Sequence, residues 1–448
     1  MNPLNKHYIY FIGIGGIGMS ALAFYAKETG HKVAGYDKTE TQLTQKLSAK
    51  GITVIYKDEI ALVDAQFLNP KETLVVFTPA IPESSNLLNY FKSEGFEILK
   101  RSELLGRLSA ETKCLAVGGT HGKTTTSTLL AHLLKHSGMK ITAILGGISQ
   151  NYDTNLILDG TDALVVEADE YDRSFLRLHP YYAAVTSTDA DHLDIYKTDD
   201  ELQKAFQQFT AKIVAGGKVF VHEDLSLSGI RYGFGENADY RIANLSIQEG
   251  IYQFDIQTPD KIHTNFKSQL PGKHNLLNTL LAFAMAYEWG VSADKLRDGI
   301  QSFKGVERRF AFHIKTANQI YIDDYAHHPS EIAAVREALE SFYPNKVKTV
   351  IFQPHLFSRT QDFGDAFARE LAAFNQVILL EIYPAREHPI PGIDAKWLLD
   401  KIDHTHKKIL TKEALLQNIK KDTTEILITL GAGDISTLVE PIKNILLS

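Results

Sequence analysis

The strongest constraint on this chain is an apolar strand that runs into a glycine turn and then into a helix. Residues Leu115 to Val117 are followed by GTHGKTTT at Gly119 to Thr126. Backbone N–H groups of such a turn can point at phosphate oxygens, the positive helix end adds attraction, and Lys123 can neutralise the outer phosphates. Thr124 would then hold Mg²⁺. Val117 stands where GxxxxGK[ST] has its first glycine, so a shorter phosphate cradle is predicted; a Gly/Thr-rich turn without ligand is the alternative.

Length and composition narrow the class of protein. A chain of 448 residues predicts three domains at roughly 150 residues each. The net charge of −7 and the lack of a long basic run argue against nucleic acid as a partner. A single cysteine, Cys114, excludes an internal disulfide framework and fits a reducing cytoplasm. Tyr8 to Ala26 is uncharged and of near-membrane length, but its four glycines would weaken a spanning helix, so no membrane insertion is expected.

The N-terminal block has the opening of a dinucleotide-binding βαβ unit. A predicted strand over His7 to Ile14 passes through GIGGIG into a helix over Met19 to Lys27, and a second strand over Lys32 to Tyr36 ends at Asp37. These glycines let a pyrophosphate approach the helix N-terminus, and an acid about 20 residues on can meet a ribose or base. Tight packing without a ligand is the alternative for the glycines.

Two apolar strands of the central block end in acids and a histidine. Ala163 to Val166 leads into Glu167, and Ala183 to Thr186 leads into a segment that contains His192. Parallel strands gather such ends at one edge of a sheet, so metal ligands are expected there. A solvated acid is the alternative for Glu167, and a packed or capping histidine is the alternative for His192.

Polar side chains also mark a later helix and the strand ends of the last block. Asn275 and Asn278 open an Ala-rich helix, where they can read an adenine edge or cap the helix. Strands predicted over the last block alternate with helices, and polar clusters such as Asp323 to Pro329 follow them. The histidine pair in that cluster can instead form a hydrogen-bonded turn. The whole chain is therefore predicted to be an α/β protein with an N-terminal Rossmann-like domain at 1–106, a central P-loop ATPase-like parallel sheet at 107–307 and a C-terminal Rossmann-like domain at 308–448.

Together these motifs resemble the Mur ligases, the ATP-dependent amide-forming enzymes of peptidoglycan precursor assembly. The resemblance runs the whole length and is closest to the alanine-adding member. It rests on the following segments: GIGGIGMS (13–20), GTHGKTTT (119–126), EADEYDRSF (167–175), ADHLDIY (190–196), HNLLN (274–278), ERRF (307–310), DDYAHHPSEI (323–332), FQPHLFSRT (352–360) and YPAREHPIPG (383–392). Leu356 and Gln361 depart from it, since arginines are frequent at both positions.

The resemblance implies that L-alanine is joined to UDP-N-acetylmuramate with ATP and Mg²⁺ through an acyl phosphate. The products would be UDP-N-acetylmuramoyl-L-alanine, ADP and phosphate, made in the cytoplasm for cell wall synthesis. The first domain would bind the UDP substrate, the second ATP, and the third would bring the amino acid and close over the nucleotide.

The resemblance also implies a role for individual residues. The catalytic groups would be Lys123, Glu167, His192 and Arg309, and the metal ligands Thr124, Glu167 and His192. ATP would meet Gly119, Thr120, His121, Gly122, Lys123, Thr124, Thr125 and Arg309 at its phosphates and Asn275, Asn278 and Asp324 at its adenosine. The uridine diphosphate would meet Gly15, Gly16, Gly18 and Asp37, with His121 at the muramoyl end, and alanine would meet His327, His355 and Arg359.

Three rival functions are compatible with parts of the sequence. Within the same family, a recycling ligase joins a whole tripeptide to UDP-N-acetylmuramate. The stretch from Gly13 to Asp37 could instead mark an NAD(P)-dependent dehydrogenase, and the chain could also be a nucleotide-gated scaffold without bond-forming chemistry. The sequence leaves the oligomeric state open.

Overall fold

The structure is a computed structural model that describes residues 4–189, 196, 198–248, 250–385, 387–419 and 425–448. It contains three β-sheets of five, ten and six strands, each accompanied by helices. The chain divides into two compact units, Met1–Leu245 with Phe254–Lys267 and Leu277–Lys304, and Ser246–Gln253 with Ser268–Leu276 and Gly305–Ser448. The predicted α/β fold is confirmed, with one sheet in the N-terminal, one in the central and one in the C-terminal part of the chain.

The N-terminal sheet is parallel, with the strand order β3-β2-β1-β4-β5. Its strands are β1 (Tyr8–Ile12), β2 (Lys32–Tyr36), β3 (Thr53–Ile55), β4 (Thr73–Phe77) and β5 (Glu97–Lys100), and its helices are α1 (Ile17–Glu28), α2 (Gln42–Ala49), α3 (Asn86–Ser93) and α4 (Arg101–Glu111). The order reverses between β1 and β4, and ligands of open α/β sheets bind beyond the strand ends at such a point. The glycine-rich loop after β1 therefore lies where a ligand is expected.

The central sheet is mixed, in the order β15-β14-β13-β12-β11-β10-β6-β9-β7-β8. Its strands are β6 (Cys114–Gly118), β7 (Ile141–Ser149), β8 (Thr154–Leu158), β9 (Ala163–Ala168), β10 (Pro180–Val185), β11 (Lys218–His222), β12 (Ile230–Gly233), β13 (Tyr240–Gln248), β14 (Ile251–Gln257) and β15 (Ile262–Ser268); its helices are α5 (Lys123–His136), α6 (Asp199–Thr210), α7 (Lys273–Glu288) and α8 (Ala293–Ser302). The predicted parallel arrangement holds for β7, β9, β6, β10 and β11. The antiparallel edge strand β8 and the extension beyond β11 were not predicted.

The N-terminal helix α1 fixes the glycine-rich loop against the central sheet. It packs on β7 and β8 as well as on its own sheet. Asn155, which is fully buried, donates through Nδ2 to the Ile17 carbonyl oxygen at 2.7 Å and to Ser20 Oγ at 2.9 Å. One apolar core runs through both sheets, so the first turn of α1 has a defined place relative to the ends of the central strands.

The C-terminal sheet has the order β16-β17-β21-β18-β19-β20 and is parallel except for β16. Its strands are β16 (Ala311–Lys315), β17 (Ile320–Asp324), β18 (Lys348–Phe352), β19 (Gln376–Leu379), β20 (Lys407–Ile409) and β21 (Ile426–Leu430). Its helices are α9 (Pro329–Phe342), α10 (Phe357–Asp362), α11 (Gly364–Ala372), α12 (Ala395–Lys401), α13 (Lys412–Asn418) and α14 (Val439–Leu447). Apolar cores cover both faces of its buried central strands.

Tyr8 to Ala26 forms β1, the glycine turn and most of α1. Within the described ranges, no helix has the length and hydrophobicity needed to cross a membrane.

Candidate active site

The phosphate cradle has the predicted strand–turn–helix geometry. β6 ends at Gly118, and α5 begins at Lys123 after Gly122, whose φ of 82° lies in the left-handed region. A Cβ at Gly119 would lie 2.0 Å from Thr186 Oγ1, and one at Gly122 would lie 2.5 Å from Asn278 Oδ1. Both positions therefore require glycine, because the turn is conformationally unusual and tightly surrounded.

Two cradle amides that the sequence assigned to phosphate already have partners. The Thr120 amide donates to the Ser187 carbonyl oxygen and the His121 amide to Ser187 Oγ, both at 3.0 Å. Ser187 thus holds the first half of the turn in place from the end of β10. These two amides are paired within the protein, and the assignment of the cradle residues to phosphate stays a prediction.

Lys123 is paired with a buried carboxylate. Its Nζ lies 2.6 Å from the Gly119 carbonyl oxygen and 2.8 Å from Glu170 Oε2. Only 1% of the Glu170 side chain is exposed, and Tyr196 donates its hydroxyl to the Glu170 carbonyl oxygen at 2.5 Å. Burial alone would lower the pKa of Lys123, but the negative charges of Glu170 and its neighbours outweigh burial and raise that pKa. The lysine is therefore a firm positive charge inside the cradle.

Thr124 and Glu167 come together as predicted. Thr124 Oγ1 donates to Glu167 Oε2 at 2.8 Å, which joins the start of α5 to the end of β9. Hydroxyl and carboxylate oxygens are the ligands that Mg²⁺ takes in phosphate-binding sites, with water and phosphate completing its shell. The pair fits Mg²⁺. The third predicted ligand, His192, lies outside the described residues.

The glycine-rich loop is braced by Asp37. Oδ2 of Asp37 accepts the amide of Gly15 at 2.8 Å, and Oδ1 accepts the amide of Thr39 at 3.1 Å. Gly16 directly precedes α1 and is its N-cap residue. The acid predicted to meet a ribose or base thus also supports the loop itself.

A cavity of about 250 Å³ joins this loop to the end of β9. Its lining comprises Gly16, Ile17, Gly18, Met19, Thr78, Arg101, Leu105, Ile144, Leu145, Gly146, Glu167 and Asp169. Thr78 directly follows β4, so the cavity opens at the point where the order of the N-terminal sheet reverses. A ligand lying in it would touch both the glycine-rich loop and Glu167 of the proposed metal pair.

Arg101 is the cation that lines this cavity, and no sequence pattern pointed to it. As the first residue of α4, it donates through Nη2 to Asp169 Oδ2 at 2.9 Å. Its Nη1 would lie 2.7 Å from a Cβ at Gly18, so the guanidinium lies against the glycine-rich loop. The side chain is 23% exposed. A guanidinium in this place can bind a phosphate or carboxylate of the ligand.

The predicted adenosine residues differ in their contacts. Oδ1 of Asn278 accepts the Thr126 hydroxyl at 3.1 Å, beside the cradle glycine Gly122. Asn275 is 6% exposed and donates through Nδ2 to the Pro271 carbonyl oxygen at 2.7 Å. Asn278 therefore borders the cradle, whereas Asn275 secures the start of its own helix.

In the C-terminal sheet, three predicted residues lie close together. The rings of His327 and His355 have centroids 5.9 Å apart, and the charge of Arg359 acts on His327. Burial lowers the pKa of His327, against the opposing charge of Glu331. His328, the other member of the histidine pair, is the N-cap of α9 and accepts the Ser330 amide at 3.4 Å. The turn alternative thus describes His328, while His327 and His355 form a cluster with Arg359.

Comparison with known proteins agrees with this arrangement. Residues 8–113 match the catalytic domain of the Mur ligase family, residues 117–286 the Mur ligase middle domain, and residues 308–433 the Mur ligase glutamate ligase domain. The chain belongs to the Mur ligase family.

Two full-length relatives carry the same name. UDP-N-acetylmuramate–L-alanine ligase of Christiangramia forsetii is 51% identical over 100% of this chain and 99% of its own length, and that of Flavobacterium johnsoniae is 50% identical over the same shares. The crystal structure of UDP-N-acetylmuramate-alanine ligase from Thermotoga maritima superposes with a TM-score of 0.84 at 26% identity, covering 98% of each chain. A murein peptide ligase from Psychrobacter arcticus shares the fold at 21% identity and a TM-score of 0.69.

These matches confirm the predicted family and leave the dehydrogenase alternative without support. The sequence reading of this Mur ligase missed four side chains of the site: Arg101, Asp169, Glu170 and Ser187. Asp169 and Glu170 lie in the EADE segment that supplies Glu167, so their proximity to the metal pair was a usable signal. No sequence pattern pointed to Arg101 or Ser187, because the residues that they contact are distant in sequence.

Proposed function

We propose that this Mur ligase joins L-alanine to UDP-N-acetylmuramate with ATP, through an acyl phosphate. The observation that carries the proposal is the cavity shared by the glycine-rich loop and Glu167, since a sugar nucleotide lying there would bring its carboxylate to the phosphate cradle. The full-length relatives of that name, at up to 51% identity, support the choice of substrates.

The sugar nucleotide would bind with its pyrophosphate at the glycine-rich loop. Gly15, Gly16 and Gly18 offer close backbone approach at the N-terminus of α1, and Arg101 offers a guanidinium beside Gly18. Asp37 would keep the loop in shape for the uridine diphosphate. The muramoyl end would then extend toward Glu167 and His121.

The first chemical step activates a poor acyl donor. An oxygen of the substrate carboxylate attacks the γ-phosphorus of ATP, the bond to the bridging oxygen breaks, and ADP leaves. Lys123 neutralises phosphate charge, and the backbone from Gly119 to Thr125 orients the triphosphate. Thr124 and Glu167, with His192, would hold Mg²⁺, which supplies further positive charge beside the phosphates. Asn278 and Asn275 would meet the adenosine, and Arg309 the outer phosphates.

The second step forms the amide. The ammonium group of alanine first gives a proton to a base such as the neutral His327, and the resulting amine attacks the acyl carbon; the bond from that carbon to the phosphate oxygen breaks, phosphate leaves, and the nitrogen releases a second proton to the departing phosphate or to water. Nδ1 of His327 lies 2.9 Å from the Tyr325 carbonyl oxygen, which can only accept, so the uncharged ring presents Nε2 as an acceptor. It can hold the ammonium group of alanine together with His355. Arg359, the one arginine between Phe352 and Thr360, would bind the alanine carboxylate.

We assign residues 1–106 to binding of the UDP substrate, 107–307 to ATP binding and ligation, and 308–448 to the amino acid and to closing over the nucleotide. The cytoplasm is the proposed location, because ATP is available there and a reducing compartment suits Cys114. That cysteine is fully buried in β6, and burial raises the pKa of its thiol.

The test is phosphate release and product mass with UDP-N-acetylmuramate, ATP and Mg²⁺, offering alanine, serine, glycine and the murein tripeptide separately. Alanine is expected to give the highest kcat/KM. Preference for the tripeptide would overturn the choice of substrate, and no ATP consumption dependent on the sugar nucleotide would overturn the ligase itself. Glu167→Ala provides the inactive control, since it removes a carboxylate from the metal pair.

A further inference from the structure

The helix that carries Arg359 has an unusual start. α10 comprises six residues, Phe357–Asp362, and His355 lies two residues before it. Its N-cap residue, Leu356, has a φ of 71°, in the left-handed region that residues with a Cβ rarely adopt. A leucine side chain offers no acceptor to the first amides of a helix. These amides therefore depend on an acceptor from elsewhere.

The segment after β19 lies beside the start of this helix. The parallel pairing of β18 and β19 resumes beyond both strands, at His355 and Tyr383. The Tyr383 amide donates to the Pro354 carbonyl oxygen at 2.8 Å, and the Leu356 amide donates to the Tyr383 carbonyl oxygen at 3.0 Å. The rings of His355 and Tyr383 stack, with centroids 5.7 Å apart and 21° between their planes. The backbone on both sides of His355 is thereby fixed to the segment that contains Tyr383.

Glu387, four residues after Tyr383, supplies the cap that Leu356 cannot. Its Oε2 accepts the Ser358 amide at 3.1 Å, and its Oε1 accepts the Ser358 hydroxyl. The Phe357 amide also donates to this carboxylate. These amides belong to the first two residues of α10, so the acid lies where the N-terminus of a helix favours negative charge.

The same contacts keep Glu387 ionised. Burial alone would raise the pKa of Glu387, but the hydrogen bonds from Ser358 and Phe357, with the charge of His355, outweigh burial and lower that pKa. The carboxylate form that caps α10 is therefore present throughout the neutral pH range in which ligation would be measured.

The first turn of α10 sets the direction of Arg359, which directly follows Ser358. Thr360 is fully buried and donates its hydroxyl to the Leu356 carbonyl oxygen at 2.7 Å, which closes the same turn from the other side. Among the described residues, no carboxylate lies within ion-pair distance of the Arg359 guanidinium. The helix start, rather than an acid paired with the guanidinium, therefore directs this side chain.

We propose that Glu387 is a positioning residue for alanine: it caps α10 and thereby directs Arg359 at the alanine carboxylate, through its hydrogen bonds rather than through its charge. This inference rests on the proposed function, in which alanine meets Arg359 and His355. The alternative is a direct contact of Glu387 with the ammonium group of alanine. The two roles make opposite demands, since a cap needs reach and acceptors whereas an ion pair needs charge.

Three variants of Glu387 separate reach from charge. KM and kcat for alanine are measured with saturating ATP and UDP-N-acetylmuramate. Glu387→Ala should raise KM for alanine about 10-fold, because a misdirected guanidinium binds the carboxylate poorly. Glu387→Asp keeps the charge but is one methylene shorter, and should lose as much. Glu387→Gln keeps the reach, and the Ser358 hydroxyl can turn to accept from its NH₂ group, so it should stay within about 3-fold of wild type.

The same measurement in an Arg359→Ala background tests whether Glu387 acts through Arg359. Adding Glu387→Ala to Arg359→Ala should cause no further loss. Additive losses would overturn the inference. A loss with Glu387→Gln as large as with Glu387→Ala, or wild-type behaviour of Glu387→Asp, would overturn it as well, because the charge would then matter more than the cap.

Thr411→Ala is the matched control. Thr411 caps α13 by accepting the Ala414 amide at 3.1 Å, so this variant removes a helix cap away from α10 and should leave KM for alanine unchanged. An equal rise in KM would show that any lost cap has this effect and would overturn the inference. If Glu387→Ala does not fold, the comparison of Gln with Asp still decides. A wild type without alanine-dependent phosphate release would instead refute the proposed function, whereas an active wild type with the same KM as Glu387→Ala would refute this inference alone.

Discussion

His132, a buried histidine on α5, is expected to make the stability of the protein depend on pH. Its Nδ1 lies 2.8 Å from the Tyr152 hydroxyl, and its Nε2 lies 3.1 Å from the Gly299 carbonyl oxygen near the end of α8. Burial, with a smaller effect of His136, lowers the pKa of His132 to about 4. The neutral ring therefore ties the helix that begins at the cradle to the helix that precedes Gly305.

The sign follows from proton linkage. The pKa of His132 in the folded protein lies below its ordinary value near 6.5. The neutral ring therefore contributes fully to stability above pH 6.5, and this contribution is lost as the pH falls toward 4. Between pH 7 and pH 5 the unfolded chain takes up a proton that the folded chain refuses, which lowers the free energy of unfolding by about 2 kcal/mol.

Urea denaturation at pH 7 and pH 5 measures this loss. In a Trp397→Phe background the remaining Trp289 reports on the first unit. His132→Gln should be less stable at pH 7 by about 1 kcal/mol, because hydrogen bonds are lost, yet its stability should fall by about 2 kcal/mol less than that of wild type on acidification. His136→Gln changes an exposed histidine one turn away and should keep most of the wild-type dependence. Equal pH dependence in wild type and His132→Gln would refute the reasoning.

Three further predictions concern the site. Lys123→Ala should slow acyl phosphate formation at least about 100-fold in rapid-quench experiments, since it removes the cradle's positive charge; normal formation would contradict its role. Arg101→Ala should raise KM for UDP-N-acetylmuramate about 10-fold or more, with little change in KM for ATP, whereas Arg107→Ala on the same helix, paired with Glu97, should not; equal effects of the two would count against Arg101. Gly122→Ala should abolish ATP binding in calorimetry, because its Cβ would lie 2.5 Å from an asparagine oxygen, whereas Gly138→Ala, at a similarly positive φ in open space, should bind normally; binding by both would show that the turn can relax.

Much of the fold could be predicted because its strands are apolar and end in glycine or acid. The strand at Lys32–Tyr36 has the predicted bounds, and α5 follows the glycine turn as predicted. The end of the extension beyond β11 was missed because its edge strand is largely exposed: Ile262–Ser268 has two buried residues in seven and no apolar run. Strands of that kind depend on pairing with neighbours rather than on their own pattern.

The part of the site that sequence could not predict is the part made by distant residues. Arg101 opens an ordinary amphipathic helix, and only the fold places it against Gly18 and Asp169. Asp324 could be singled out as a strand-end acid, but its contacts depend on a turn 14 residues upstream, whose positive φ values have no signature in Arg308 or Phe310. Residue type and spacing identify candidates, and the direction of each side chain remains a tertiary property.

Three acids at the end of β9 and directly after it explain how so many charges coexist in the site. Glu167 accepts the Thr124 hydroxyl, Asp169 binds Arg101, and Glu170 binds Lys123. Thr124, Arg101 and Lys123, which would bind the anionic ligands and the metal, are thus each paired with an acid from residues 167–170. For the two cations, this pairing offsets the free-energy cost of burying a charge without a partner. An anionic ligand would compete with these acids for Lys123 and Arg101, and divalent cations would offset the negative charge of acids that lose their partners. Because Asp169 and Glu170 are adjacent, a change in the partner of either acid alters the charge around the other.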